Sequence, residues 1–155
     1  MQVNQFIYGG KGLAVTETFE GCRRTAYQDQ VGVWTIGYGH TGPDVHAGMT
    51  VTEEEAQALL EKDIRNAAEC VNHLVVVKLT QEEFDALVDF VFNVGAGALQ
   101  RSTLLRELNA GNFTGAAAQF ALWSRAGGAV VAGLLRRRLA EQTLFRQGRA
   151  GLESA

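Results

Sequence analysis

Two capping boxes mark the points at which long helices begin in this chain of 155 residues. Thr52 is followed by Glu55, and Thr80 by Glu83, so each threonine hydroxyl can accept the N3 amide and each glutamate the N-cap amide. Beyond each box, apolar residues recur every three or four positions, as on the buried face of a helix. They are Ala56, Leu59, Leu60, Ile64, Ala67 and Val71 after the first box, and Phe84, Leu87, Val88, Val91 and Phe92 after the second. The pattern predicts one helix up to about His73 and a second that starts near residue 81.

The rest of the C-terminal region also favours helices. Ser102 is expected to begin a helix that runs through Leu108 and ends at Gly111. Shorter helices are predicted over residues 114–123 and 130–145. Because the chain contains a single proline, Pro43, few positions interrupt a helix.

Residues 21–50 have a different composition. Strand-forming residues there alternate with turn residues: the former are Tyr27, Val31, Val33, Trp34, Thr35, Ile36 and Tyr38, the latter Asp29, Gly32, Gly37 and Gly39. The segment from Asp29 to Gly32 fits a type I turn. We therefore predict a small antiparallel sheet of three strands between an N-terminal helix and a helical body, which is an α+β fold.

Length and composition indicate one folded domain. Hydrophobic residues make up 46% of the chain and charged residues 20%. We expect a single domain over residues 1–155, with the helix and sheet lobe in 1–50 and the helical lobe in 51–155. No stretch approaches the roughly 20 apolar residues of a membrane span, and residues 1–13 lack an export signal. The chain is therefore expected to stay in the cytoplasm of the cell that makes it.

Charge is distributed unevenly along the chain. Residues 1–100 carry 6 Lys and Arg against 14 Asp and Glu, whereas residues 101–155 carry 8 Arg against 3 Glu. A basic C-terminal segment suits an anionic polymer, although scattered solvated arginines explain it equally well. The run from Arg136 to Arg138 has no interleaved aromatic residues, so we do not expect nucleic-acid binding.

The cysteines and histidines do not indicate a metal site. Cys22 and Cys70 have no metal-ligand spacing, and the three histidines of the chain cluster with neither of them. In a cytoplasmic chain both thiols are expected to stay reduced. We expect no metal and no cofactor.

Glu20 is a candidate general acid. It precedes Gly21, which suits the residue just after a helix. A carboxyl group at the C-terminal end of a helix faces the negative end of the helix dipole, which favours the protonated acid. A general acid needs that form. The alternative is an exposed glutamate at a helix end, which is the commoner case.

Asp29 and Thr35 are candidate partners of such an acid. Alternation along residues 33–39 places Thr35 with Gly37 and Gly39 on a face that lacks bulk, where a ligand can approach. A second carboxylate and a hydroxyl near that face can hold a water opposite a general acid. The alternatives are glycines that serve only to bend the strand and an aspartate that serves only its turn.

His40 and Asp63 are predicted to support the site. Asp63 falls on the apolar face of its helix, between Leu60 and Ala67. A buried carboxylate needs a partner. We expect His40, as the chain leaves the sheet, to supply that partner and to connect the sheet with the helical lobe.

The segments from Glu20 to Asp29 and from Gly32 to His40 resemble the signature of phage lysozymes, glycoside hydrolase family 24. The catalytic Glu, Asp and Thr of that family are spaced nine and then six residues apart, as are Glu20, Asp29 and Thr35 here. Residues 90–95, 102–105 and 133–141 are also similar to family segments. The resemblance therefore covers about residues 12–148.

This resemblance implies roles for several residues. Glu20 would protonate the glycosidic oxygen, while Asp29 and Thr35 would position and activate the attacking water. Thr41, Phe92 and Gln119 match positions that line the saccharide cleft, and Arg137 matches an arginine near the catalytic glutamate. The implied fold is lysozyme-like, with an N-terminal catalytic helix and a small antiparallel sheet packed against a larger helical lobe.

The resemblance also implies a substrate and a setting. It implies cleavage, with inversion, of the β-1,4 bond between N-acetylmuramic acid and N-acetylglucosamine in peptidoglycan, during lysis of a phage host. The enzyme would be a monomer without stable membrane association. A holin would give it access to the periplasm and cell wall. Two alternatives remain: a lytic transglycosylase, which breaks the same bond without water, and a non-enzymatic module that binds peptidoglycan glycan strands.

Overall fold

A computed structural model describes residues 2–153, and the side chains of residues 2–152. Seven α-helices lie in this range: α1 Gly10–Glu20, α2 Glu53–Leu74, α3 Gln81–Val94, α4 Ala96–Arg101, α5 Thr103–Asn109, α6 Phe113–Gln119 and α7 Ala132–Glu153. A 3₁₀ turn spans Phe120–Leu122. The strands are β1 Arg23–Gln28, β2 Trp34–Gly37, β3 His40–Thr41, β4 Arg125–Ala126 and β5 Ala129–Val130. The predicted α+β architecture is confirmed.

Both capping boxes are formed. The hydroxyl of Thr52 accepts the amide of Glu55 at 3.1 Å, and the carboxylate of Glu55 accepts the amide of Thr52 at 3.0 Å. Thr80 and Glu83 exchange the same pair of bonds at 3.2 and 2.9 Å. These bonds satisfy amides that the first turn of a helix leaves free, so α2 and α3 begin where predicted.

The helices after residue 112 differ from the prediction. The helix predicted over 114–123 is an α-helix only to Gln119 and continues as the 3₁₀ turn. The helix predicted over 130–145 begins at Ala132 and continues to Glu153. Residues 125–130 instead form the hairpin β4–β5, whose central Gly127 and Gly128 have φ of 61° and 82°. Two left-handed residues suit the tight turn of a hairpin, which delays the start of α7.

The three-stranded sheet has the order β1-β2-β3 and is antiparallel. Thr35 in the central strand pairs with Tyr27 on one side and Thr41 on the other. The face that carries Thr35 is more closed than predicted, because only 5% of Thr35 is exposed. A Cβ on Gly37 would come within 3.3 Å of the Ala56 side chain, so this glycine admits α2 rather than a ligand.

Two apolar clusters stabilise the fold. The larger one lies among the helices, where Phe90 stacks edge to face on Phe120 with ring centres 5.5 Å apart. The smaller one joins the sheet to the start of α2 and contains Ile36, Val45, Val51 and Ala56. Tyr38 packs against both clusters, so the sheet and the helical body meet near the end of β2. No helix in residues 2–153 combines the length and apolar character needed to cross a membrane.

Candidate active site

Glu20 ends α1, and Arg137 of α7 lies beside it. Gly21 follows with φ of 64° and donates its amide to the carbonyl of Glu17, which closes the helix. Nη1 of Arg137 donates a hydrogen bond of 2.7 Å to Oε2 of Glu20. The arginine side chain is 5% exposed and the glutamate side chain 18% exposed, so the pair is largely shielded from bulk water. One edge of the Glu20 carboxyl group thus has a permanent cation.

Gly39 contacts the other oxygen of the same carboxyl group. A Cβ at Gly39 would overlap Oε1 of Glu20, and the φ of Gly39 is 79°. Any larger residue here would displace the carboxyl group, besides straining the backbone. The chain therefore passes close to Glu20 immediately after β2 because residue 39 has no side chain.

Asp89 of α3 orients Arg137. It accepts two hydrogen bonds from the guanidinium, from Nε at 2.9 Å and Nη2 at 2.8 Å, and a third from Thr16 at 2.7 Å. Burial alone would raise the pKa of Asp89, but its interaction with Glu141 and its hydrogen bonds with Arg137 outweigh burial and lower that pKa. Asp89 is therefore ionised, and two parallel bonds give the guanidinium one orientation.

Tyr8 and Thr16 extend this network towards the N-terminus. The Tyr8 hydroxyl lies 2.7 Å from Oγ1 of Thr16, which in turn donates to Asp89. Burial first, and then the charge of Asp89, raise the pKa of Tyr8, so its phenol stays neutral. The carboxylate of Asp89 is thus held by donors from α1 as well as α7.

Sequence reasoning missed Asp89, Thr16 and Glu141. A usable signal was present for Asp89, because it falls on the apolar face of α3 next to Val88 and is 1% exposed. A carboxylate in such a position needs a partner. The partner itself was not predictable, since eight arginines follow residue 100 and only the fold selects Arg137.

Asp29 occupies the turn between β1 and β2, as predicted. Its Oδ1 accepts the amides of Val31 and Val33, both at 2.9 Å, and its carbonyl accepts the amide of Gly32 at 3.0 Å. These bonds hold the carboxylate at the tip of the turn, where the residue is exposed to solvent. Because Asp29 is exposed and only its Oδ1 accepts these amides, its carboxylate can also bind water.

Thr35 lies in the middle of the sheet. Its hydroxyl donates to the carbonyl of Val33 at 3.0 Å, so the oxygen lone pairs remain able to accept a hydrogen bond. Tyr27 pairs with Thr35 and precedes Asp29 by two residues. The β1–β2 hairpin therefore places the hydroxyl and the Asp29 carboxylate in one local unit.

A cleft of about 270 Å³ lies where the sheet meets α2 and α3. Its lining residues are Gly39, Thr41, Asp63, Asn66, Ala67, Cys70, Val91, Phe92 and Ala96. Two of the three predicted saccharide-binding residues, Thr41 and Phe92, are among them. Gln119 is half-buried at the end of α6 and is not part of this lining. The cleft combines an aromatic ring with polar groups, as sugar-binding sites do.

His40 connects the sheet to α2. Nδ1 lies 2.7 Å from Oδ2 of Asp63, and Nε2 lies 2.9 Å from Oδ2 of Asp44. Burial lowers the pKa of His40, but hydrogen bonds to Asp63 and Asp44 outweigh it and raise that pKa above its ordinary value. The pairing with Asp63 was predicted, whereas Asp44 was not.

Known proteins resemble this chain over most of its length. Residues 17–141 match the family model described as phage lysozyme. The chain is 48% identical over 139 residues to an endolysin of Bacillus phage B103, which covers 88% of this chain and 53% of that protein. It is 44% identical over 138 residues to a SAR-endolysin of Bacteriophage PS119, and this alignment covers 89% of this chain and 83% of that protein. The chain thus spans about half the length of the B103 endolysin.

A solved structure has the same fold. The muramidase domain of SpmX from Asticaccaulis excentricus superposes with a TM-score of 0.84 and 42% sequence identity. The match covers 91% of this chain and 98% of that domain. Both the fold and the order of its elements are therefore shared with a lysozyme-like domain.

Proposed function

This chain belongs to the phage lysozyme family, and on that premise we propose that it hydrolyses the β-1,4 bond between N-acetylmuramic acid and N-acetylglucosamine in peptidoglycan. The observation that carries the proposal is the environment of Glu20. Its carboxyl group is held between Arg137 and Gly39, and Gly39 also lines the cleft. A proton donor at the wall of a sugar-sized cleft is the first requirement of a glycosidase.

Glu20 acts as the general acid. It protonates the glycosidic oxygen as the bond to the leaving sugar breaks, and it becomes a carboxylate in the same step. Nη1 of Arg137, 2.7 Å away, stabilises the charge that develops on Glu20. Since Asp89 orients Arg137 in advance, little reorganisation accompanies proton transfer.

Asp29 and Thr35 hold the water that attacks the anomeric carbon. Asp29 is exposed at the tip of the β1–β2 turn and serves as the base, and the Thr35 hydroxyl accepts a hydrogen bond from the same water. With a water between acid and base, the two carboxyl groups of an inverting glycosidase lie roughly 6.5–9.5 Å apart, against about 5–5.5 Å in a retaining one. The proposed mechanism requires the wider separation and inverts the anomeric configuration.

The cleft residues contact the glycan strand. Phe92 offers an aromatic face to a sugar ring, and the exposed Thr41 offers a hydroxyl to its polar edge. We propose that Gln119, which lies outside the cleft lining, makes a further contact with the glycan strand. No metal or cofactor takes part in this mechanism.

Glu20→Gln tests the assignment. The amide keeps the shape of the side chain but cannot give up a proton, so clearing of outer-membrane-permeabilised Gram-negative cells should slow by about 10²-fold or more. Glu17→Gln is the matched control, because it removes a carboxyl group one turn earlier in α1 and should keep its activity. A folded Glu20→Gln variant within about twofold of wild type would refute the assignment.

Access to the cell wall is a separate part of the proposal. Phage lysozymes act on peptidoglycan, and we propose that this one waits in the host cytoplasm until a holin opens the inner membrane. The alternative is export that needs no holin, and several similar proteins are named SAR-endolysins. Expression of the full chain without a holin distinguishes the two routes. Intact cells with active enzyme in their lysate support the holin route, and spontaneous lysis refutes it.

A further inference from the structure

Glu141 is a buried carboxyl group in α7 that the proposed mechanism does not use. Its exposed fraction is 0%. Oε1 accepts a hydrogen bond of 2.5 Å from Nη1 of Arg138, whereas Oε2 has no hydrogen-bond partner. Within the described side chains of residues 2–152, Oε2 of Glu141 is the one buried nitrogen or oxygen atom without a hydrogen-bond partner. An ionised carboxylate oxygen there would lose its hydration without compensation.

Oε2 of Glu141 faces charged groups on two helices. Nε of Arg137 is 4.0 Å away, which is beyond hydrogen-bond reach. The Asp89 carboxylate also lies close enough to interact with the Glu141 carboxyl group. Two carboxylates repel each other unless one of them keeps its proton. If Glu141 keeps it, Oε2 becomes a donor and its missing partner is Asp89.

The balance of charge favours the same state. The cluster contains the cations Arg137 and Arg138 and the carboxyl groups of Glu20, Asp89 and Glu141. Once Glu20 has given up its proton, ionisation of all three carboxyl groups would set three negative charges against two positive ones. A neutral Glu141 restores the balance and removes an uncompensated buried charge.

The pKa of Glu141 agrees with this geometry. Burial and the neighbouring Asp89 raise it well above the ordinary value, and the opposing effect of Arg138 is smaller. Tyr8 also faces the cluster and is neutral, because burial raises its pKa too. The 3₁₀ turn packed on α7, Phe120–Leu122, contains no titratable residue, and α6, Phe113–Gln119, contains none either.

We propose that Glu141 is a positioning residue: as a neutral carboxylic acid it donates from Oε2 to Asp89 and so holds Arg137 against Glu20. Asp89 then has four donors, which fix the carboxylate that binds the Arg137 guanidinium. Because Glu141 carries no charge, the charge of Arg137 remains available to Glu20 after proton transfer. The inference rests on the proposed function, since this role requires Glu20 to be the acid.

The protonation state is measured by ¹³C NMR of wild-type protein labelled at glutamate Cδ. Glu141→Gln assigns the resonance by its loss, and Glu69→Gln assigns an exposed reference on α2. We expect Glu141 to show the shift of a carboxylic acid throughout about pH 5 to pH 8. A carboxylate shift across that range would overturn the proposal. This measurement needs neither activity nor a folded Glu141 variant other than the isosteric amide.

Kinetics test the positioning role. Glu141→Leu keeps a similar volume but removes both hydrogen bonds, so we expect kcat to fall about tenfold or more while KM changes less than about twofold. Glu141→Gln presents a donor to Asp89 and an acceptor to Arg138, and should restore kcat with an unshifted pH–rate profile. An acid limb shifted by Glu141→Gln, or a wild-type kcat in Glu141→Leu, would overturn the role. The proposed function fails on a different result, namely an active Glu20→Gln variant. The NMR shift of Glu141 does not depend on that result.

Discussion

Arg137 donates a hydrogen bond of 2.7 Å to Glu20 although 117 residues separate them in the chain. The acid ends the first helix and the cation lies in the last one. Asp89 of α3 binds the same guanidinium through two hydrogen bonds. The proton donor is therefore in place only when α1, α3 and α7 have packed together, so folding and formation of the site are the same event.

Arg137 is expected to matter for stability as well as activity. Arg137→Gln leaves Asp89 buried without its cation, and breaking a buried pair in this way typically costs about 3–5 kcal/mol. Urea denaturation measures the change in the free energy of unfolding. Arg136→Gln, an exposed neighbour on α7, is the control and should stay within about 0.5 kcal/mol of wild type. Equal stability of the two variants would show that the cluster contributes nothing to the fold.

Gly39→Ala should reduce activity more than stability. A methyl group at this position overlaps Oε1 of Glu20 and moves the carboxyl group away from the cleft. Gly48→Ala separates this effect from backbone strain, because Gly48 has a similar φ of 82° and no atom within 4 Å of a Cβ there. Thermal unfolding and clearing of permeabilised cells are compared for both variants. Similar activities of the two variants would contradict the close approach of residue 39 to Glu20.

Local features of the fold were predictable because their hydrogen bonds close within a few residues. The capping boxes at Thr52 and Thr80 and the turn at Asp29 are of this kind. Family spacing likewise identified Glu20, Asp29 and Thr35 as candidates. The hairpin at Gly127 was not predicted, although two consecutive glycines are its usual signal.

Features that depend on distant contacts were not predictable. Thr35 is only 5% exposed although glycines occupy the next two positions on its side of the strand, and no property of the strand itself reveals this burial. Asp89 is 48 residues from Arg137 and 73 from Thr16, so their shared network emerges only from packing. The continuation of α7 beyond the predicted end at residue 145 is of the same kind, since Gly148 lies against the Thr80 side chain, where a Cβ would overlap the hydroxyl.

His40 should make stability depend on pH. Its pKa is raised in the folded protein by Asp63 and Asp44 against the effect of burial. The contribution of His40 to the free energy of unfolding is therefore fully present below its unfolded pKa of about 6.5, and it is lost as pH rises through its folded pKa. The difference in melting temperature between wild type and Asp63→Asn should shrink as pH rises from about 6.5 through the folded pKa of His40.

Asp44→Asn serves as the comparison for this pair. The Asp44 side chain is 53% exposed, against 24% for Asp63, so its contribution is more strongly screened and its removal should cost less. A proton NMR titration of His40 gives the sign directly. A pKa below the ordinary histidine value would contradict the account of this pair.

Product analysis tests the central claim, hydrolysis by Glu20 with water held at Asp29 and Thr35. A transglycosylase uses the substrate's own hydroxyl and has no need of a residue pair that holds water. Purified peptidoglycan is digested, the products are identified by mass spectrometry, and the new anomeric centre is followed by proton NMR before it mutarotates. We predict muropeptides with reducing N-acetylmuramic acid ends, formed first in the inverted configuration. Digests dominated by 1,6-anhydromuramic acid ends would contradict hydrolysis.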